Sequence, residues 1–143
     1  MNVYRYLEQY EEAERKVAKL RKEYDEEVQR IDSLRSPLGD DGSPKSGKIS
    51  RTVERRAVKL ADRALVLKDA EADALWIRQE VYDTVNKVTG PEGSVLFERY
   101  INLKKWRQVA HDLGYTERQC FNLRDKGIRK VDELLSDKCD SSI

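Results

Sequence analysis

The chain has 143 residues, of which 38% are charged, and its mean hydropathy is −0.82. This composition excludes a large apolar core and favours long, solvated helices. No apolar stretch approaches the ~18 residues of a membrane span, and the first residues lack the apolar segment of a secretory signal, so the sequence predicts a cytoplasmic all-α protein.

The first predicted element is a long helix with a heptad seam. From Val3 to Leu34, apolar residues recur at alternating steps of three and four, and only Glu27 interrupts the series. A seam of this kind requires a partner helix to cover it.

A second long helix with the same period is predicted from Val53 to Val88, with interruptions at Glu71 and Arg78. Two helices of comparable length predict an antiparallel, coiled-coil-like hairpin over residues 1–89, which would serve for oligomerisation. Further apolar residues widen the stripe of the second helix beyond one seam, and they are Val58, Ala61, Leu65, Leu75 and Ile77. The wide stripe predicts a homodimer.

Between the two helices, residues 36–49 are rich in serine, glycine and proline and predict a flexible linker, with the second helix beginning near Ser50. The surrounding segment Arg35–Leu60 contains seven basic and three acidic residues, a net charge of +4. Two interpretations remain open for the linker. It is either an inert spacer or a basic loop that touches DNA or a partner.

Gly90 and Pro91 predict the end of the second helix and the start of a C-terminal domain over residues 90–136. A short helix, Glu92–Ile101, is expected to pack under the segment that follows it. Residues 137–143 are polar and predict a disordered tail.

Residues 106–123, WRQVAHDLGYTERQCFNL, have the spacing of a helix-turn-helix. Ala110 lies where the two helix backbones approach, and Gly114 supplies a positive φ at the turn. Thr116 and Gln119 form a capping box that fixes the start of the second helix. The remaining inward positions are apolar, and they are Val109, Leu113, Tyr115, Cys120 and Leu123.

The outward face of the second helix carries side chains that suit base edges in a major groove. The predicted base-reading residues are Glu117, Arg118, Phe121, Asn122 and Asp125. Predicted phosphate contacts are Lys104, Lys105, Arg107, Thr116, Arg124, Lys126 and Arg129. The segment Arg99–Lys130 contains nine basic and three acidic residues, a net charge of +6, which favours binding to phosphate.

Some of these residues have a second interpretation. Phe121 could pack against another helix instead of meeting a thymine methyl group. Trp76 and Trp106 are expected to be core anchors, and His111, the single histidine, is expected at the surface. No nucleophile–base pair, phosphate-binding glycine loop or metal-ligand spacing occurs in the sequence, so we expect no enzymatic activity, no metal and no cofactor.

The run LFERYINLKKWRQVAHDLGYTERQCFNLRDKGIRKVDELL resembles region 4 of bacterial sigma factors. It has a helix ending in RYIN, a helix of the W-x-x-V-A-x-x-L-G type, and a recognition helix that begins after a threonine cap. The whole chain resembles small phage and prophage transcription regulators of the RinA/ArpU type.

This resemblance implies binding to double-stranded promoter DNA in a bacterial host cell. It also implies regulation, as an activator of late or structural genes, through the host RNA polymerase, with bases read by Glu117, Arg118, Phe121 and Asn122. The chain departs from the sigma pattern at Phe121, where a polar or basic residue is usual. We expect no polymerase-binding region 2 in a chain of this length, and therefore do not expect a complete sigma factor.

Two other functions remain open at this stage. A DNA-packaging component, such as a small terminase subunit, also joins a helix-turn-helix to helical oligomerisation segments and would assemble into a large ring. A structural coiled-coil adaptor would use its C-terminal helices to bind protein, and its basic face would be dispensable.

Overall fold

The computed structural model describes residues 2–35 and 47–140, and every regular element within these ranges is helical. The helices are α1 (Val3–Arg35), α2 (Gly47–Asn86), α3 (Pro91–Leu96), which continues into the π-helical segment Phe97–Ile101, α4 (Trp106–Leu113) and α5 (Glu117–Asp140). The predicted all-α class is therefore confirmed. Across the described ranges, no helix combines the length and the apolar character needed to cross a membrane.

The chain divides into two compact units. The first contains residues 2–13 and 74–140, and the second contains the described part of residues 14–73. Helices α1 and α2 each contribute one part to each unit.

The first unit has a core formed by the start of α1, the end of α2, α3 and α5. Leu7, Val81, Leu96 and Val131 are buried at its centre. The predicted short helix does pack under the segment that follows it, because Val95 of α3 joins a second cluster formed by residues of α4 and α5.

Two tyrosines carry polar groups into this core. The hydroxyl of Tyr6 forms a 2.8 Å hydrogen bond with Oγ1 of Thr84, so the buried polar atom has a partner. Burial raises the pKa of Tyr100 to about 12, because the apolar surroundings disfavour the phenolate. Both rings therefore pack as neutral side chains at neutral pH.

The second unit contains the later part of α1 and the earlier part of α2. Val17 and Ile31 of α1 and Ala70 of α2 are buried. Val17 and Ile31 belong to the predicted heptad series of α1, whereas Ala70 lies one residue before Glu71 of the predicted series of α2.

The two interruptions of the seam in this unit are explained by ion pairs. Glu27 is buried, and its carboxylate oxygens lie 3.4 Å from Nη1 of Arg30 and 3.5 Å from Nη1 of Arg56. Glu71 pairs with Arg21. Arg21 precedes Glu27 in α1, whereas its partner Glu71 follows Arg56 in α2.

The boundaries of α2 differ from the prediction at both ends. The helix begins at Gly47, so residues 47–49, which were assigned to the linker, are helical, while residues 36–46 lie outside the described part of the chain. It ends at Asn86, before Gly90. The N–H groups of Lys87 and Val88 donate hydrogen bonds to the carbonyls of Thr84 and Val85, three residues earlier, and not to those four residues earlier. This tighter turn closes the helix.

The predicted disordered tail is also wrong in part. Helix α5 continues to Asp140, because no proline or glycine follows Gly127 to stop it, so residues 137–140 are helical. Residues 141–143 lie outside the described part of the chain.

Trp76 is not a core anchor, since 77% of its surface is exposed. It lies two residues after the buried Ala74, and two residues of an α-helix correspond to more than half a turn. The periodicity of α2 therefore places Trp76 on the solvent side of that helix.

Candidate nucleic-acid interface

The turn between α4 and α5 depends on Gly114, which adopts a left-handed conformation with a φ of 72°. Its N–H donates to the carbonyl of His111 at 3.3 Å, and the N–H of Tyr115 donates to the carbonyl of Ala110 at 2.9 Å. These two bonds form a Schellman motif, which satisfies the last carbonyls of α4. The predicted role of Gly114 is confirmed.

A capping box begins α5, as predicted. The N–H of Thr116 donates to Oε1 of Gln119 at 2.9 Å, and the N–H of Gln119 donates to Oγ1 of Thr116 at 3.2 Å. These reciprocal bonds satisfy backbone donors that the first turn of a helix leaves unpaired. They also occupy the hydroxyl oxygen of Thr116, a residue predicted to contact phosphate.

A small core joins α4 to α5 beneath the turn. Val95, Val109, Ala110 and Cys120 are buried in it, and Leu113 and Leu123 pack at its edge. Burial is the main cause of the raised pKa of the Cys120 thiol, so this cysteine packs as a small apolar side chain.

Tyr115 does not belong to this core, so its predicted inward orientation is wrong. Its side chain is 36% exposed, although its backbone N–H closes the turn. The left-handed residue before it reverses the chain direction and leaves the ring outside the space between the two helices.

Four of the predicted base-reading residues, namely Glu117, Arg118, Asn122 and Asp125, are exposed on α5. Arg118 and Asn122 are four residues apart, so their side chains are neighbours on one face of the helix. Neither forms a hydrogen bond or ion pair with any residue that the structure describes. These two side chains are available to an external ligand.

Phe121, the fifth of these residues, is half-buried and packs against Trp106. The two ring centroids are 5.2 Å apart and the rings meet edge to face at 67°. This geometry is favourable for aromatic pairs. The packing interpretation of Phe121 therefore has direct structural support.

Phe121 belongs to an aromatic cluster with Tyr4, Tyr100 and Trp106, into which two arginines insert. The guanidinium carbon of Arg124 lies 5.7 Å from the ring centre of Tyr4, 5.4 Å from that of Trp106 and 5.1 Å from that of Phe121. Arg99 lies 6.0 Å from Tyr100 and 5.7 Å from Trp106. Such distances allow cation–π attraction.

Arg124 was predicted to contact phosphate and Asp125 to read a base, but both also have partners within the chain. Nε and Nη2 of Arg124 donate to Oδ1 of Asp125 at 3.2 and 3.1 Å. The hydroxyl of Tyr4 donates to the same oxygen at 3.3 Å. The part that Tyr4 plays in this cluster could not be predicted from a local pattern, because Tyr4 lies 121 residues before Asp125 in the chain.

Lys104 also has internal partners. Its ammonium lies between the carboxylates of Glu98 and Asp112, and the Asp112 contact is 2.8 Å. Hydrogen bonds to these carboxylates raise the pKa of Lys104, and the bond from Lys104 lowers the pKa of Asp112. The charge of Lys104 is therefore balanced before any phosphate approaches.

Among the other residues predicted to contact phosphate, four basic side chains are exposed and form no ion pair with the described residues: Lys105, Arg107, Lys126 and Arg129. His111 is exposed, as predicted. Among the residues that the structure describes, no three histidine, cysteine, aspartate or glutamate side chains are placed to hold a metal ion.

Replacing Arg124 with glutamine is expected to destabilise the protein. The change removes the cation that contacts three rings, and a partly desolvated cation–π contact contributes up to about 2 kcal/mol. We expect the free energy of unfolding to fall by about 1–2 kcal/mol, measured by equilibrium urea denaturation.

Arg129→Gln is the matched control, because Arg129 is exposed on the same helix and the charge change is identical. It should alter the free energy of unfolding by less than about 0.5 kcal/mol. Equal urea midpoints for the two variants would show that Arg124 is a solvated surface charge.

Comparison with known proteins gives no relative: no family model, no curated protein and no solved structure matches the chain.

Proposed function

We propose that the chain is a sequence-specific DNA-binding transcription regulator in which Trp106–Leu123 is a helix-turn-helix. One observation carries the proposal. Arg118 and Asn122 are exposed neighbours without partners among the described residues, on a helix whose start is fixed by a capping box. In a major groove, arginine recognises guanine and asparagine recognises adenine through paired hydrogen bonds.

The surrounding charges support this proposal. Lys105, Arg107, Lys126 and Arg129 are exposed cations on both sides of the turn. Cations flanking a recognition helix contact the phosphates and set its orientation without reading sequence. Binding should therefore weaken as salt concentration rises, because each neutralised phosphate releases counterions.

We further propose that the chain is a homodimer in which α1 and α2 form an antiparallel hairpin. In the second unit, Val58 and Leu65 of α2 are 64% and 62% exposed and lie seven residues apart. Together with the exposed Ala61 and Ala72 they follow a heptad pattern. A second copy of the chain would cover this face, and a dimer would read two half-sites.

The resemblance to sigma region 4 supports activation, as opposed to repression, of transcription. A domain of this type would act beside the host RNA polymerase. We propose activation of late or structural phage genes as the most specific form of this function. A large ring, as in DNA packaging, or protein binding without DNA binding would oppose it.

The first test is selection of DNA sequences from a random duplex pool by the purified protein. Arg118→Ala and Asn122→Ala should then each lower the affinity for the selected sequence by about 1–3 kcal/mol, a loss of about 5–150-fold, measured by fluorescence anisotropy. Each variant should also relax the preference at one base position.

Arg107→Ala is the control for a phosphate contact, because it should weaken binding to selected and shuffled duplexes by the same factor. The proposal fails if selection enriches no sequence. It also fails if both recognition-helix variants keep the wild-type ratio of affinities for selected and shuffled duplexes.

A further inference from the structure

A basic cleft in the second unit has no part in the site described above. It has a volume of about 370 Å³ and is lined by Glu27, Arg30, Thr52, Arg55, Arg56, Lys59 and Arg63. Five of these seven residues are cationic and one is a carboxylate. Part of the cleft lies in the segment that the sequence marks with a net charge of +4.

The single carboxylate is already occupied. Glu27 is buried and pairs with Arg30 and Arg56, which are the only ion pairs of the cleft among the described residues. Arg55, Lys59 and Arg63 are exposed and form no ion pair within the described part of the chain. Five cations and one carboxylate leave the lining of the cleft with a net positive charge.

The spacing of these three cations defines the shape of the ligand. Arg55, Lys59 and Arg63 are four residues apart, so they lie on one side of α2 at intervals of about 6 Å. A row of cations suits a linear polyanion better than a compact anion. Val58 and Leu65 lie about a third of a turn around the helix from the centre of this row, so the proposed dimer contact and the row are different surfaces of α2.

The chemistry of the lining indicates the class of polyanion. Arginine predominates, and its planar fork matches the oxygen atoms of a phosphate. The lining contains no apolar side chain, whereas protein partners are usually held by buried apolar or aromatic anchors. Phosphodiester backbone therefore fits this cleft better than an acidic protein segment.

We propose that the row formed by Arg55, Lys59 and Arg63, together with the cleft in which Glu27 pairs with Arg30 and Arg56, is a second site for nucleic acid. This site would bind the phosphodiester backbone without reading the base sequence. The inference rests on the proposed DNA-binding function only for the identity of the ligand. In this proposal the second unit adds affinity for the nucleic-acid backbone, and α5 alone recognises the bases.

The test uses the full chain and a labelled duplex of random sequence, titrated by fluorescence anisotropy at several salt concentrations. The triple variant Arg55→Gln, Lys59→Gln, Arg63→Gln should lower the slope of log affinity against log salt by about 0.9 for each lost contact. Three contacts correspond to a change of about 2–3 in the slope and a loss of affinity of about 10-fold or more at low salt.

The matched control is Lys16→Gln, Lys19→Gln, Lys22→Gln, which removes the same charge from exposed positions on α1 in the same unit. The double variant Arg55→Lys, Arg63→Lys keeps the charge and should keep the slope, which separates loss of charge from loss of fold. Equal slopes for the two glutamine variants overturn the inference. Equally strong binding of poly-L-glutamate and the random duplex also overturns it.

The outcomes separate this inference from the function proposed above. The glutamine variant should weaken selected and shuffled duplexes by the same factor, whereas Arg118→Ala should weaken the selected duplex more than the shuffled one. A changed slope without any base preference would support the cleft and refute the sequence-specific regulator. A base preference without a changed slope would support the sequence-specific regulator and refute the cleft as a phosphodiester site.

Discussion

Replacing Gly93 with alanine is expected to lower the free energy of unfolding by about 3 kcal/mol or more. Gly93 is buried in α3, and a Cβ atom there would lie 2.0 Å from the carbonyl oxygen of Val88 and 3.1 Å from its carbonyl carbon. These are backbone atoms, which cannot rotate away as a side chain can. The whole of α3 would have to move.

This displacement would reach the candidate interface, because α3 packs against α5. A Cβ built on Gly127 of α5 would lie 2.8 Å from Cδ1 of Leu96, so the two helices already approach closely at that point. Equilibrium urea denaturation followed by circular dichroism measures the loss, and binding to selected DNA should weaken with it.

Ser94→Ala is the matched control, because Ser94 is the next residue of α3 and is exposed. It should change the free energy of unfolding by less than about 0.5 kcal/mol. Similar stabilities for the two alanine variants would mean that the close approach of α3 to Val88 is absent in solution.

The second large effect is expected at the proposed dimer interface. The double variant Val58→Glu, Leu65→Glu should raise the dimer dissociation constant by about 100-fold or more, since each carboxylate would be removed from water without a partner. Both side chains are mostly exposed within one chain, so the helical content should not change. Sedimentation velocity at micromolar concentration measures the mass.

Gln29→Glu, Ser33→Glu is the matched control, since it adds the same charge at exposed positions on α1 in the same unit. The control should remain a dimer. A wild-type protein that sediments as a monomer would refute the dimer. A large ring would favour the DNA-packaging function.

Local patterns in the sequence were sufficient for much of the fold. The capping box of Thr116 and Gln119 and the left-handed Gly114 involve bonds between residues at most five apart, which spacing alone can predict. The heptad seam predicted burial along α1 and α2 because helical periodicity repeats over many turns. It could not predict that Glu27, an apparent exception, is buried with two arginines.

The errors have a common physical origin. Trp76 and Tyr115 were assigned to the core from hydrophobicity, but their places on the helix and after the turn decide their exposure. Arg124 was assigned to phosphate from charge, although three rings surround it. One of those rings, Tyr4, belongs to α1, and no local spacing connects the first turn of α1 with α5.

The contact between Phe121 and Trp106 also limits how the proposed DNA preference could evolve. Arg118 and Asn122 have no partner among the described residues, so mutations there could change the recognised bases at little cost in stability. Phe121 occupies the same face but holds α5 to α4 and contacts Arg124. A mutation at this position must preserve the packing, so evolutionary drift in binding specificity should proceed through residues 118 and 122.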